Sequence, residues 1–229
     1  MSILSIENVY SGYGDIGVIN GISLSLDDGE FLGIFGHNGM GKSTLLKTIA
    51  GLIPVKSGKV EFGGNDVTRL PVAKRASAGL GYVPQGRQIY PNLSGRDNLK
   101  VAALGARGKA IPVERIVALL PRLEPLLDRL GGVMSGGEQQ ILALGRCLIG
   151  NPKVILLDEP TEGIQPSIRE EMIEALKVVR RETAISIVLV EQNIEFIRSL
   201  SDRILAIQKG TIIAELLSAS ASELEALEL

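Results

Sequence analysis

Tryptophan is absent from this chain, aromatic residues make up only 3% of it, and cysteine and histidine occur once each. Each shortage closes off a class of function. Without interleaved basic and aromatic side chains there is no stacking platform for single-stranded nucleic acid. A formal net charge of −2 gives no electrostatic reason for a polyanionic partner either, so nucleic acid is not expected as a ligand. The lone Cys147 cannot form an internal disulfide, and no charged, apolar and small-residue leader opens the chain, so a cytoplasmic location is expected. Apolar runs such as Val101 to Ala106 fall far short of the ~18 residues that span a bilayer, so any membrane attachment must go through a partner. What remains is an ordinary globular composition, 45% hydrophobic and 22% charged over 229 residues, enough for one large domain with its own core.

Glycine, by contrast, is plentiful, and its placement is informative. Gly36-His37-Asn38-Gly39-Met40-Gly41-Lys42-Ser43 fits G-x-x-x-x-G-K-[ST] at every fixed position. Gly36, Gly39 and Gly41 let the backbone turn so that successive N–H groups point at phosphate oxygens. Lys42 adds a point charge, Ser43 supplies a hydroxyl of the right length for Mg²⁺, and Thr44 to Ala50 reads as a helix whose N-terminus faces the anion. The apolar Phe31 to Phe35 before the loop reads as a buried strand, so the motif sits between strand and helix as its chemistry requires.

Upstream, Ile3 to Val9 and Ile22 to Leu26 alternate as half-buried strands, separated by the Gly-rich Ser11 to Gly17, and predict an antiparallel flap. Tyr13 in that loop reads either as a lid for an adenine ring or as a turn residue packed on the sheet. Downstream, Gly58 to Phe62 and Gly79 to Pro84 read as strands, the second delivering Gln85. Gln85 could reach a metal or water at the phosphates, or be a solvated loop residue. From 94 to 150 the period turns helical, with segments at Asp97 to Leu104 and Val113 to Leu120 and a third punctuated by Pro121 and Pro125. The last helix of this insert opens Ser135-Gly136-Gly137-Glu138-Gln139, a capping box with Ser135 at the N-cap, and its two glycines suit a terminus that bares N–H groups to phosphate.

Val154 to Leu157 is a continuous buried-strand pattern ending in Asp158 and Glu159, where open α/β sheets bind ligands. Asp158 is expected to hold Mg²⁺ through water, and Glu159 to act as general base for an attacking water. Pro166 opens an amphipathic helix, Ile185 to Val190 is a further strand ending in Glu191-Gln192-Asn193, and Arg203 to Gln208 with Thr211 to Leu216 form a hairpin around Lys209-Gly210. Ser222 and Glu225 mark a capping box for a solvated tail helix.

The phosphate loop, Gln85, SGGEQQ at Ser135 to Gln140 and VILLDEP at Val154 to Pro160, in this order, resemble the ATP-binding cassette (ABC) ATPases over nearly the whole chain. The resemblance implies an α/β fold: a P-loop NTPase (RecA-like) core at 1–93 and 151–229 with an N-terminal antiparallel β-subdomain, and an inserted α-helical subdomain at 94–150. It implies ATP and Mg²⁺ as cofactors, with His37, Asn38, Met40 and Thr44 joining the glycines, Lys42 and Ser43 around the nucleotide. Tyr13 is then the adenine-stacking aromatic, and Gln85 senses the metal and the water. Ser135, Gly136, Gly137, Glu138 and Gln139 are the signature that meets ATP on an opposite subunit, so a monomer carries half-sites only. Two positions depart from the family pattern: Gln165 stands where an aspartate is usual, and Gln192 where a catalytic histidine is usual. Thr161 to Pro166 and Val190 to Asn193 look like the importer subfamily that serves branched-chain amino acids and urea. The implied partners are a second ATPase subunit, identical or paralogous, two membrane permease subunits at the cytoplasmic face of the membrane and, indirectly, an extracytoplasmic binding protein. A soluble ABC ATPase for DNA repair or translation is the alternative, disfavoured because the chain has room for neither a long coiled coil nor a second cassette. A phosphate-loop kinase would leave SGGEQQ unexplained.

Overall fold

In the computed structural model, which describes residues 2–106 and 110–217, two long strands, β1 (Ser2–Tyr13) and β2 (Ile16–Asp27), pair antiparallel. The Gly-rich stretch expected to separate them is instead mostly strand. Register shifts around Val9 and Gly12 let β1 bend and continue, so that only Gly14 and Asp15 turn the chain. The fully buried β3 (Phe31–Phe35) then leads through the glycine loop into α1 (Lys42–Ala50). β4 (Val55–Phe62) and β5 (Asn65–Asp66) return to the flap, completing a sheet of order β2-β1-β4-β5.

The helix α2 (Val72–Ala78), too short to show a period in the sequence, precedes β6 (Leu80–Val83). The helical stretch that follows holds α3 (Gly95–Gly105), α4 (Val113–Leu119) and α5 (Gly136–Leu148). Its proline-punctuated segment is a 3₁₀ helix, Pro121–Leu126, because Pro125 inside it has no N–H for an α-helical bond. β7 (Val154–Asp158), α6 (Pro166–Glu182), β8 (Ser186–Glu191), α7 (Ile194–Leu200), β9 (Arg203–Gln208) and β10 (Thr211–Leu217) complete the described chain. The tail helix expected at Ser222 and Glu225 lies outside the described residues.

The second sheet has the order β10-β9-β3-β8-β7-β6, parallel throughout except for the edge strand β10. Its central strands are apolar on both faces because both are covered. On one side Leu45, Leu46 and Ile49 of α1 join the inner faces of both sheets in a single core. On the other, α5, α6 and α7 pack with the 3₁₀ segment into a second core. Since β3, β7 and β8 run in the same direction side by side, the loops that follow them open at one end of the sheet.

Two contacts fix the helices toward the opposite end of the sheet, where the parallel strands begin. A Cβ at Gly81 of β6 would fall 2.6 Å from Cys147 Sγ, so the missing side chain is what seats the last turns of α5 on the sheet. Burial pushes the Cys147 thiol up to about 12. The second contact is Arg75, 2% exposed, whose guanidinium caps the C-terminus of α1 by donating to the carbonyls of Thr48 (3.0 Å) and Ile49 (2.6 Å), and also bonds Leu70 O and Thr68 O. A cation at that end matches the helix dipole. Arg75→Ala removes four hydrogen bonds and takes the guanidinium from the buried Ile49 carbonyl, while Thr48 O keeps the Gly51 N–H (3.1 Å), and is expected to lower the unfolding free energy by about 3 kcal/mol. Chemical denaturation checks this, and a change within ~0.5 kcal/mol, typical of surface sites, would mean the carbonyls find other donors.

Candidate active site

The loop between β3 and α1 keeps its shape through backbone geometry. Gly39 (φ 82) and Gly41 (φ 104) both take left-handed conformations. No atom lies within 4 Å of where a Gly39 Cβ would stand, so the loop encloses open space on that side. α1 begins at Gly41 with no side-chain cap and no acidic residue in its first turn, which leaves its N-terminal N–H groups and positive dipole end to an anion. From behind, Gly210 N–H donates to Met40 O (3.0 Å), bracing the loop against the turn between β9 and β10.

Lys42 is 3% exposed, and its ammonium is shared among Gly36 O (2.7 Å), His37 O (3.0 Å) and Glu159 Oε1 (2.9 Å). Ser43 Oγ donates to Asp158 Oδ1 (2.8 Å), and Tyr82 OH donates to Asp158 Oδ2 (2.9 Å). Burial pushes the Asp158 carboxyl above the usual range, against the pull of the Ser43 and Tyr82 bonds. The Tyr82 hydroxyl is raised as well, by burial and then by the neighbouring Asp158. Glu159 is turned by a left-handed backbone (φ 42) with its N–H on Val190 O (3.0 Å), a strained arrangement of the kind that gathers at functional sites. Gln85 Nε2 donates to Glu159 Oε2 (3.3 Å). Lys42, Ser43, Gln85, Asp158 and Glu159, all singled out from the sequence, therefore form one cluster of two hydrogen-bonded groups, Lys42–Glu159–Gln85 and Ser43–Asp158, held side by side because their members are consecutive in the chain. Tyr82 belongs to it too, and its only sequence signal was its place in the strand leading to Gln85.

The other expected residues lie apart. Tyr13, at the tip of the β1–β2 hairpin, is 51% exposed, and His37 and Gln192 are exposed at the loop and at the end of β8. Ser135 caps α5 as expected, with Glu138 N–H on its Oγ (3.3 Å) and Glu138 Oε2 accepting from Ser135 N–H (2.7 Å). Among the described residues, no hydrogen bond or ion pair joins Ser135 to the Lys42–Glu159 cluster. Of the two glycines, Gly137 is buried rather than bared: a Cβ there would meet Ile168 Cγ2 of α6 at 2.2 Å. Gln139 spends its amide on Gly131 O (3.0 Å) and Met134 O (3.3 Å), so it and Glu138 hold the loop before α5.

The loop after β6 connects the two regions. Gly86 (φ 79), Arg87 (φ 69) and Gln88 (φ 47) are consecutively left-handed, which carries Arg87 from Gln85 to the signature. Arg87 Nη2 donates to Glu162 O (3.2 Å) and lies 2.7 Å from where a Gly136 Cβ would be. Its loop also walls a groove of about 1380 Å³ between the core and the helical insert, lined by residues such as Ala76, Gln85, Gly105, Ala143 and Cys147.

The donor chemistry fits Mg²⁺ with a phosphate ligand. The described residues contain no group of three or more His, Cys, Asp or Glu that could cage a metal by itself. Beside the phosphate loop, the Ser43 hydroxyl and the Asp158 carboxylate it bonds are hard oxygens of the kind that bind Mg²⁺ together with substrate phosphates and water. No helix among the described residues is long and apolar enough to cross a membrane.

A family model described as ABC transporter matches residues 19–162. The chain is 34% identical over 213 residues to the high-affinity branched-chain amino acid transport ATP-binding protein BraG of Pseudomonas aeruginosa, covering 92% of this chain and 91% of that one. It is also 34% identical over 205 residues to a probable branched-chain amino acid transport ATP-binding protein, LivF, of Archaeoglobus fulgidus, covering 88% and 86%. Among solved structures, an ATP-binding cassette of an ABC transporter in its ADP conformation superposes with a TM-score of 0.88 at 26% identity, over 100% of this chain and 96% of that one. A dimeric cassette in a post-hydrolysis state bound to ADP and Pi gives 0.82 at 26% identity, over 94% and 98%. The chain belongs to the ABC transporter family, as an ATP-binding, ATP-hydrolysing cassette of it.

Proposed function

We propose that the chain is the ATP-hydrolysing motor of an importer for branched-chain amino acids, acting as a dimer on the cytoplasmic face of the membrane through permease subunits. The observation that carries the chemistry is the buried Lys42–Glu159 contact at 2.9 Å, which joins the phosphate loop to the strand-end acid. The amino-acid cargo rests on the two bacterial and archaeal relatives just named, at 34% identity over most of their length; neither speaks for urea.

The steps follow from the contacts. Lys42 takes a phosphate oxygen in exchange for Glu159, and the freed carboxylate accepts the proton of the attacking water. Ser43 and Asp158 would hold Mg²⁺, which would supply neutralising charge to the phosphates. Gln85, already donating to Glu159, keeps the carboxylate turned toward the water, and Gln192 offers an amide donor to the transferred phosphate. Tyr13 stacks on the adenine. Ser135 and Gly136 act on the nucleotide of the opposite subunit, whether that subunit is a second copy or a paralogue, while Gly137 lets α6 pack beneath them.

The decisive experiment purifies the chain with its permease subunits and asks whether a branched-chain amino acid on its binding protein stimulates ATP turnover; stimulation by urea alone would reassign the cargo. In that complex Glu159→Gln should bind ATP normally and lose roughly 10²–10⁴-fold in turnover, while holding an ATP-dependent dimer. Turnover near the parent rate would remove Glu159 as the base. Added to that variant, Ser135→Arg should abolish the dimer, seen by sizing chromatography, without weakening ATP binding to the separated subunit; parallel losses would make Ser135 a local contact. Gln192→Ala should slow hydrolysis by removing a positioning donor, whereas His37→Ala should leave turnover within about twofold because the phosphate loop binds through its backbone. A slow His37→Ala enzyme would bring the only histidine into the chemistry.

A further inference from the structure

Glu191 is the last residue of β8, the strand lying between the one that leads to the phosphate loop and the one that delivers the acids. It pairs with Phe35, immediately before Gly36, and its neighbour Val190 pairs with Asp158. The side chain is 1% exposed, and burying a carboxylate so completely is costly unless each oxygen is satisfied. Both are, by neutral donors. Oε1 accepts from Thr161 N–H (3.0 Å) and from the Thr161 hydroxyl in a very short bond. Oε2 accepts from Gln192 N–H (2.9 Å) and Asn193 N–H (3.0 Å). The two oxygens therefore hold two different segments: one follows the general base, the other carries the amide donor that stands in place of a histidine.

From this juxtaposition we infer that Glu191 is a positioning residue of hydrolysis, tying the Glu159–Thr161 turn to Gln192 so that base and donor keep a fixed spacing. The inference rests on the roles proposed above for Glu159 and Gln192. Glu159 is anchored on one side by its N–H on Val190 O (3.0 Å), in the left-handed conformation that its own backbone disfavours. The Thr161 anchor holds the other side of the same turn. Only a carboxylate suits the junction, because four donors converge on it and a glutamine would turn an NH₂ toward one of the two pairs. The cost would be borne by whichever segment lost its acceptor.

Glu191→Gln keeps the volume and breaks one side of the tie. In the isolated chain, amide hydrogen exchange at Gln192, Asn193 and Thr161 should accelerate at least at one segment, while ATP affinity stays within about twofold of the parent, because Lys42 and the loop amides are untouched. In the assembled complex kcat should fall roughly tenfold with KM for ATP little changed, the size expected for one net hydrogen bond lost from the transition state. The discriminating measurement is the cycle with Gln192→Ala. If Glu191 acts through Gln192, the double variant turns over no more slowly than Gln192→Ala alone. Thr161→Val and Thr161→Ser serve as a second, milder pair: the first removes only the hydroxyl bond and should slow turnover, while the second keeps it and should restore the parent rate. Unchanged exchange in Glu191→Gln, losses that multiply in the double variant, or a fall in ATP affinity matching the fall in kcat would each overturn the assignment. Should Glu191→Gln fail to fold, equal rates for Thr161→Val and Thr161→Ser would overturn it instead. A parent complex that hydrolyses no ATP would refute the motor reading, and the exchange measurement would still report on the tie.

Discussion

Three charged side chains, Lys42, Asp158 and Glu159, are withdrawn almost wholly from water at one end of a parallel sheet, and most of the architecture around them answers that constraint. A buried ion pair gains little over its desolvation cost unless further dipoles satisfy what remains of each charge. Here those dipoles come from separate parts of the chain: loop carbonyls at Gly36 and His37 for the ammonium, the Ser43 and Tyr82 hydroxyls for Asp158, and the Gln85 amide for Glu159. Strand order is what allows it. β3, β8 and β7 are adjacent and parallel, so chain segments more than a hundred residues apart deliver their ends to the same place.

Much of this was legible in the sequence, and the reasons differ by element. The phosphate loop, the capped Ser135 and the acids after Val154 to Leu157 are local patterns whose chemistry depends on consecutive residues, and they stand where local reasoning puts them. Tyr82 and Glu191 escaped because the sequence marks the segments they stand in, the strand before Gln85 and the run Val190 to Asn193, but not these two side chains. Their importance lies in partners 76 residues away for Tyr82 and 30 for Glu191, which only folding brings close. The Gly-rich segment after Val9 was misread for a related reason: glycines usually punctuate, but bulges let an edge hairpin run through them. Gly137 shows the same limit, since the helix that presses against it, α6, comes later in the chain.

A second theme is economy of connection. The segment from Gln85 to Gln88 touches Glu159 through Gln85 and the first turn of α5 through Arg87, and its last three residues are all left-handed. Such a run is expensive for any residue but glycine, and it persists because both ends are anchored. The nucleotide cluster and the helical insert, which share no direct hydrogen bond at Ser135, are therefore mechanically joined through one short loop that also faces the large groove. Anything seated in that groove is one residue from Glu159.

The seating of Cys147 beneath Gly81 gives the helical insert a lever. α5 is 13 residues long, about 20 Å from end to end, with its last turns pinned against the sheet and Ser135 at the other end, where Gly137 packs on α6. A tilt of ~3° about that pin displaces the serine by ~1 Å, enough to make or break a hydrogen bond, whose useful range of lengths spans only about half an ångström. The missing side chain at Gly81 thus bears on where Ser135 stands, two turns and more along the helix.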